Sequence, residues 1–182
     1  MIVVAAVLGA LAWSFMEYVL HRFRGHAATG TSTFKTEHLT HHARDYFTPT
    51  GKKVVMAAGP VLGLALAGSL IAGPLLGLTF AAAFTAAYVH YEVVHRRLHT
   101  HAARGWYGRL IRRHHFFHHF GDARVNHGVT SPVWDIVFRT RARIDQVAVP
   151  ARRAPVWMVD REAGVLRPGA EIDYTLKVRR RT

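Results

Sequence analysis

Forty-one consecutive residues, Val54 to Val94, contain no lysine or arginine and one carboxylate, Glu92, and Gly73-Pro74 divides them near the middle. A hydrocarbon layer about 30 Å thick takes about 20 helical residues, so the block is too long for one crossing and suits two. Proline cannot continue a helix without losing a backbone hydrogen bond, which makes Gly73-Pro74 the turn of a tight helical hairpin. Gly59-Pro60 lies nearer an end and reads as a kink. Small residues at Gly63, Ala65, Ala67, Gly68 and Ala81 to Ala83 allow helices to approach closely in lipid.

The N-terminal stretch Met1 to Leu20 is also apolar, with Glu17 as its single charge. It has the length of a span. It lacks the basic start of a cleaved leader and runs directly into histidines, so a retained anchor is the expectation. Charge placement tests the topology. Of the 24 lysines and arginines, 6 lie between Arg22 and Lys53 and 18 between Arg96 and Arg181. Three spans, at residues 1–20, about 54–71 and about 75–94, put every basic residue on one side of the membrane, the cytoplasm by the positive-inside rule, with the N-terminus outside.

At 182 residues, one domain with a real core is the starting expectation. The formal charge is +13 and half the residues are hydrophobic, a combination that suits a membrane protein with a basic face. The absence of cysteine excludes disulfide frameworks, thiolate zinc sites and iron–sulfur clusters. Imidazole is left as the borderline-soft ligand for a transition metal, and 14 histidines are present.

Those histidines cluster beside the expected spans. "HRFRGH" supplies His21 and His26, "HLTHH" supplies His38, His41 and His42, "HRRLH" supplies His95 and His99, and "HFFHH" supplies His115, His118 and His119. Residues at i, i+3 and i+4 share a helical face, so each HxxHH predicts three converging imidazoles. His21 and His26 are five apart, about 140° on an ideal helix, and need a bend near Gly25 or ligation from different sides. Protonated, ten such side chains would repel one another; neutral, they need partners, and bound metal satisfies them directly. Ten nitrogens suit two ions at four or five each. The clusters on either side of Val54 to Val94 can meet only if that block crosses twice.

In this order the segments "EYVLHRFRGH", "HLTHH", "YEVVHRRLH", "HHFFHH" and "NHGVTSPVWDIVFRT" resemble the fatty acid hydroxylase superfamily, the membrane-bound histidine-rich di-iron enzymes, over roughly Ser14 to Thr140. The 2-hydroxylases of sphingolipid fatty acyl chains are the most similar branch by these motifs. The sequence departs from the family in having Arg139 where glycine is common, in carrying no fused haem domain, and in three expected spans rather than four.

The expected fold is all-α integral membrane: about three transmembrane helices, from the spans read above, plus the cytoplasmic helices carrying a histidine-rich dimetal site that the resemblance implies. A membrane-embedded hydroxylase domain is expected over residues 1–140. A basic cytoplasmic tail, irregular with a short strand at Ile172, Tyr174, Leu176 and Val178, is expected over residues 141–182. Carried over residue by residue, the metal ligands are His21, His26, His38, His41, His42, His95, His99, His115, His118 and His119. His90, Glu92, Asp122 and Asp135, with Glu17, are candidates to orient those imidazoles. His101, His114 and His127 stand outside the ligand set. Phe116, Phe117, Phe120, Trp134 and Phe138 are candidates for the wall of a substrate channel.

The activity implied is O₂-dependent hydroxylation of a C–H bond in a membrane lipid, a fatty acyl chain at its 2-position first, by two irons, at a site that zinc can also occupy on purification. Electrons would come from an external haem protein or ferredoxin, acidic if the +13 charge steers it. The expected location is a bacterial inner membrane, with the metal site and C-terminus cytoplasmic; nucleic acid is not an expected partner. A carotenoid ring hydroxylase, a sterol hydroxylase and a non-catalytic metal-binding membrane protein are the alternatives.

Overall fold

The structure, a computed structural model, describes residues 1–177. Contacts divide the chain into two compact units, Met1–Val93 and from Val94 onward.

In the first unit, α1 (Ile2–Val19) passes without a break into a π-helix, Leu20–Ala27. After a short loop comes α2 (Thr33–Arg44), whose first turn is capped by Ser32, its side chain accepting from the Lys35 amide at 3.2 Å. α2 stops at Asp45, which takes the left-handed conformation at φ 54°. Helices α3 (Thr50–Ala72) and α4 (Pro74–Thr100) form the expected hairpin. Gly73 ends α3 at φ 87° and Pro74 opens α4, where its missing N–H costs nothing. Pro60 lies within the continuous helix α3.

Small residues set the helix packing. A Cβ on Gly77 of α4 would stand 2.1 Å from the Ser69 nitrogen, and one on Gly9 of α1 2.3 Å from the Phe80 carbonyl oxygen. Only glycine permits either approach. Further along, Trp13 of α1 packs its ring against Phe84, Tyr88 and Tyr91 of α4, with centroids 4.7–5.6 Å apart. Helix α3 has no buried residue and exposes Leu62, Leu66, Leu70 and Ile71. Among the described residues, two helical stretches are long and apolar enough to cross a membrane, Ile2–Ala27 and Thr50–Ala72. The third expected span falls within α4, which is helical throughout and carries His90 and Glu92 toward its end.

The second unit begins in the last turns of α4 and continues with α5 (Gly105–Phe120) and the short α6 (Val133–Val137). Beyond residue 140, β1 (Val147–Pro150) pairs in parallel with β4 (Tyr174–Lys177), in the register Val147 to Tyr174. Between them, β2 (Val159–Asp160) and β3 (Val165–Leu166) form a small antiparallel pair. Phe116, fully buried on α5, is the centre of a core with Val147, Val149, Ala154, Met158, Val159 and Tyr174. The segment expected as a basic tail therefore packs on α5, and the boundary expected at residue 140 falls inside this unit. Of the expected strand residues, Tyr174 and Leu176 lie in β4, Ile172 sits in the turn before it, and Val178 lies outside the described residues.

Candidate metal centre

The π-helix resolves the spacing of His21 and His26. Its i to i+5 hydrogen bonding, seen in the Ala28 amide donating to the Phe23 carbonyl at 2.7 Å, widens each turn by one residue. Residues five apart thus return to nearly the same face, and the two imidazole centroids lie 5.3 Å apart. Gly25, the position expected to bend, has another role: a Cβ there would meet His38 Cδ2 at 2.7 Å, so its absence makes room for α2 to bring His38 in.

Four ligand nitrogens converge in the first unit. Those of His21, His26, His38 and His42 lie within 4.8 Å of one another. The Nε2 atoms of His26 and His38 are 2.8 Å apart. In the second unit the nitrogens of His95, His99, His115 and His119 lie within the same limit, and Nε2 of His99 is 2.9 Å from Nε2 of His115. Ring nitrogens this close share either a proton or an ion. Two ligands each about 2.0–2.1 Å from a metal and at right angles to each other stand about 3 Å apart, so both pairs have the spacing that adjacent ligands of one ion adopt.

The expected three-way convergence of each HxxHH does not occur. In each motif the i and i+4 members join one set, while His41 stands 6.0 Å from His42, and His118 6.0 Å from His119, ring to ring. Neighbours in sequence are about 100° apart on a helix, so the i+3 and i+4 side chains diverge. His41 and His118 are instead prepared in the same way as each other. The Nδ1–H of His41 donates to the Tyr46 carbonyl at 3.0 Å, and that of His118 to the Val125 carbonyl at 2.7 Å. A carbonyl only accepts, so each bond fixes the tautomer that leaves the Nε2 lone pair as a ligand. Both rings are buried. An all-imidazole donor set of this kind suits iron or zinc.

The candidate orienting residues have other partners. Asp135 is fully buried and accepts four hydrogen bonds, from His114 Nε2, the His127 and Gly128 amides and the Thr140 hydroxyl, at 2.7–2.9 Å. Burial pushes its carboxyl pKa up, but the bonds from His114, Thr140 and Gly128 outweigh it and hold the group below its ordinary value. Asp135 thereby ties the loop after α5 to His114, the neighbour of His115. Asp122 is bound by Arg124, which lowers its pKa. Glu92 pairs with Lys53, and His90 is exposed on α4. Glu17 is buried in α1. His127 Nε2 bonds to the Arg124 carbonyl at 3.1 Å, and His101 is exposed. Of the expected channel aromatics, Phe116 is core and Phe117 and Phe120 pack on it, while Phe138 is exposed beside Trp134.

The first unit also holds a cavity that no pattern in the sequence reveals. Of about 550 Å³, it is walled by Trp13, Leu20, Met56, Leu64 and Phe84 among others, and His21 and His38 open onto it. Glu37, also in its wall, is paired with Lys52, whose hydrogen bond lowers the carboxyl pKa. The cavity gathers side chains from four helices, and no periodicity within one segment reports such a space.

The profile of the family described as fatty acid hydroxylase matches residues 6–140. A dihydroceramide fatty acyl 2-hydroxylase of Arabidopsis thaliana is 31% identical over 164 residues, covering 85% of this chain and 64% of its own. A ceramide very long chain fatty acid hydroxylase of Schizosaccharomyces pombe is 31% identical over 144 residues, covering 74% of this chain and 41% of its own. The Homo sapiens fatty acid 2-hydroxylase is 30% identical over 142 residues, with coverages of 74% and 38%. The chain thus spans less than two thirds of the length of each. A structure of full-length scs7p, in which only the hydroxylase domain is visible, superposes with a TM-score of 0.62 at 26% identity, over 78% of this chain and 57% of that one.

Proposed function

Because the chain belongs to the fatty acid hydroxylase family, we propose that it hydroxylates a C–H bond of a membrane lipid, a fatty acyl chain at its 2-position, using O₂ and a pair of irons. The observation that carries this reading is the four-imidazole set of the first unit, two of whose members, His21 and His38, wall an apolar cavity of about 550 Å³. Redox metal and an alkyl-sized space in one place are what oxidation of an unactivated C–H bond requires.

The ten histidines, His21, His26, His38, His41, His42, His95, His99, His115, His118 and His119, hold the two ions, with His41 and His118 adding to the two sets of four. When bound, the ions supply the redox chemistry: O₂ and two external electrons, with two protons, place one oxygen in the C–H bond and release the other as water. The protein's own residues orient and exclude. Along α1 the cavity wall runs from Trp13 to His21, eight residues or about 12 Å of helix. Leu64 and Phe84 flank the deep end, and Lys53 and Glu92 belong to the histidine end, since α3 runs against α1 and α4 runs with it. An acyl chain lies with its tail among the deep apolar side chains and its polar end beside His21 and His38. The carboxylates Glu17, Glu37 and Glu92 face that end as acceptors for hydroxyl or amide donors, while Trp13 and Phe84 keep water from the alkyl part.

Three crossings, by α1, α3 and α4, keep the basic residues among those described on one side, which we take as the cytoplasm of a bacterial cell. An external haem protein or ferredoxin donates the electrons there, drawn to the positive charge. Cells fed acyl lipids and expressing the protein, or its His115→Ala/His119→Ala variant, test the reading by mass spectrometry. A lipid that gains one oxygen only with intact histidines supports it. Two bound metals with no oxidised lipid, in cells supplied with a donor, contradict it.

A further inference from the structure

The second unit contains a cationic cavity that the hydroxylase reading does not use. It measures about 260 Å³ and is lined by Arg113 from α5, by Arg141, Ala142, Arg143 and Asp145 from the segment before β1, and by the neighbouring His114, Leu110 and Ile144. The backbone on both sides of Arg141 is pinned. Asn126 fixes both sides of Arg141, its amide donating to the Thr140 carbonyl at 2.9 Å and its side-chain oxygen accepting from the Ala142 amide at 2.7 Å. Thr140 is held in turn by Asp135, through its hydroxyl at 2.7 Å and its amide at 2.8 Å.

The guanidinium groups have little to answer them. Arg141 and Arg143 make no hydrogen bond or ion pair among the described residues. Arg113 donates to the Asp145 carbonyl at 3.1 Å and reaches Asp173 at 3.4 Å, but Asp173 is already engaged by Arg109 at 2.7 and 2.9 Å. The Nε of Arg113 is buried with no hydrogen-bond partner among the described residues. Against three guanidinium groups the lining offers one carboxylate, Asp145. Like charges gathered at one cavity repel unless an anion answers them, and guanidinium forks match the oxygens of a phosphoryl group.

The geometry points to a binding site for a phosphoryl anion formed by Arg113, Arg141 and Arg143. The segment just before it favours a lipid headgroup as the source. Val133, Ile136, Val137 and Phe138 are exposed apolar residues on and beside α6, and Arg139, Arg141 and Arg143 follow at once. An apolar turn next to a basic run is the composition of a segment lying at the surface of an anionic bilayer.

The test uses the full chain in nonionic detergent at fixed ionic strength, with inorganic phosphate and, separately, phosphatidate in mixed micelles titrated by calorimetry. The Arg141→Ala/Arg143→Ala variant removes groups that bond to nothing, so its fold and metal content serve as controls. Arg152→Ala/Arg161→Ala removes equal charge elsewhere on the unit. Saturable phosphatidate binding that weakens at least tenfold in the first variant and holds in the second establishes the site as one for a lipid headgroup. The same pattern with inorganic phosphate alone establishes the anion site and assigns it a soluble ligand. Equal losses in both variants, or no saturable binding of either probe, overturn the proposal.

Discussion

His114 donates its Nε2–H to Oδ2 of Asp135 across 2.9 Å, and that carboxylate is wholly buried. The pair anchors the loop from Asn126 to Thr140 to the middle of α5, one residue from His115. Asp135→Asn replaces an acceptor of four donors by a group that is itself half donor, leaving buried N–H groups unanswered. The variant should lose about 2–4 kcal/mol of stability, read from thermal unfolding in detergent.

The same carboxylate sets a pH dependence. Its folded-state pKa lies below the ordinary value, so the stabilisation it gives is complete above the unfolded pKa of about 3.9 and is lost as pH falls through the lower folded value. The melting temperature of the wild type should therefore fall more steeply below about pH 4 than that of Asp135→Asn, with the two curves converging in acid.

Gly25 has a Cβ position 2.7 Å from the His38 ring. Gly25→Ala should displace His38 and reduce bound metal from about two to about one per chain by elemental analysis, with helix content unchanged by circular dichroism. His38→Ala/His42→Ala and His115→Ala/His119→Ala should each do the same. Loss of both metals from either double variant would show a single cooperative site.

The segment beyond residue 140 buries Phe116 and supports the end of α4, where Trp157 Nε1 donates to the His99 carbonyl at 3.1 Å, next to the Leu98 carbonyl that accepts from Arg112 of α5 at 3.0 Å. Phe116→Ala leaves a cavity at the centre of that core and should cost about 3–5 kcal/mol. A chain ending at residue 140 should fail to retain metal at His95, His99, His115 and His119. Limited proteolysis and metal content check both.

The hairpin at Gly73-Pro74 and the pairing of His38 with His42, His95 with His99 and His115 with His119 were legible because each depends on local rules: proline breaks a helix, and i, i+4 neighbours share a face. His21 and His26 were not, since the π-helix that joins their faces is a departure from ideal winding that no spacing rule anticipates. Residues 141–177 read as tail because their strands are two to four residues long and Arg152, Arg153, Arg161 and Arg167 mask a core of scattered residues such as Met158 and Val159. Parallel pairing of β1 with β4 joins residues 27 apart, a relationship that composition does not carry.

The most direct measurement is oxygen isotope transfer. Purified protein loaded with iron, placed in a bilayer containing an acyl lipid and reduced by an external donor, is exposed to ¹⁸O₂ in ordinary water. One ¹⁸O in the lipid, located at carbon 2 by fragmentation and absent from His115→Ala/His119→Ala, is the predicted result. A fully loaded, reduced protein that leaves the lipid unchanged, or introduces only oxygen from water, would contradict an O₂-dependent hydroxylase.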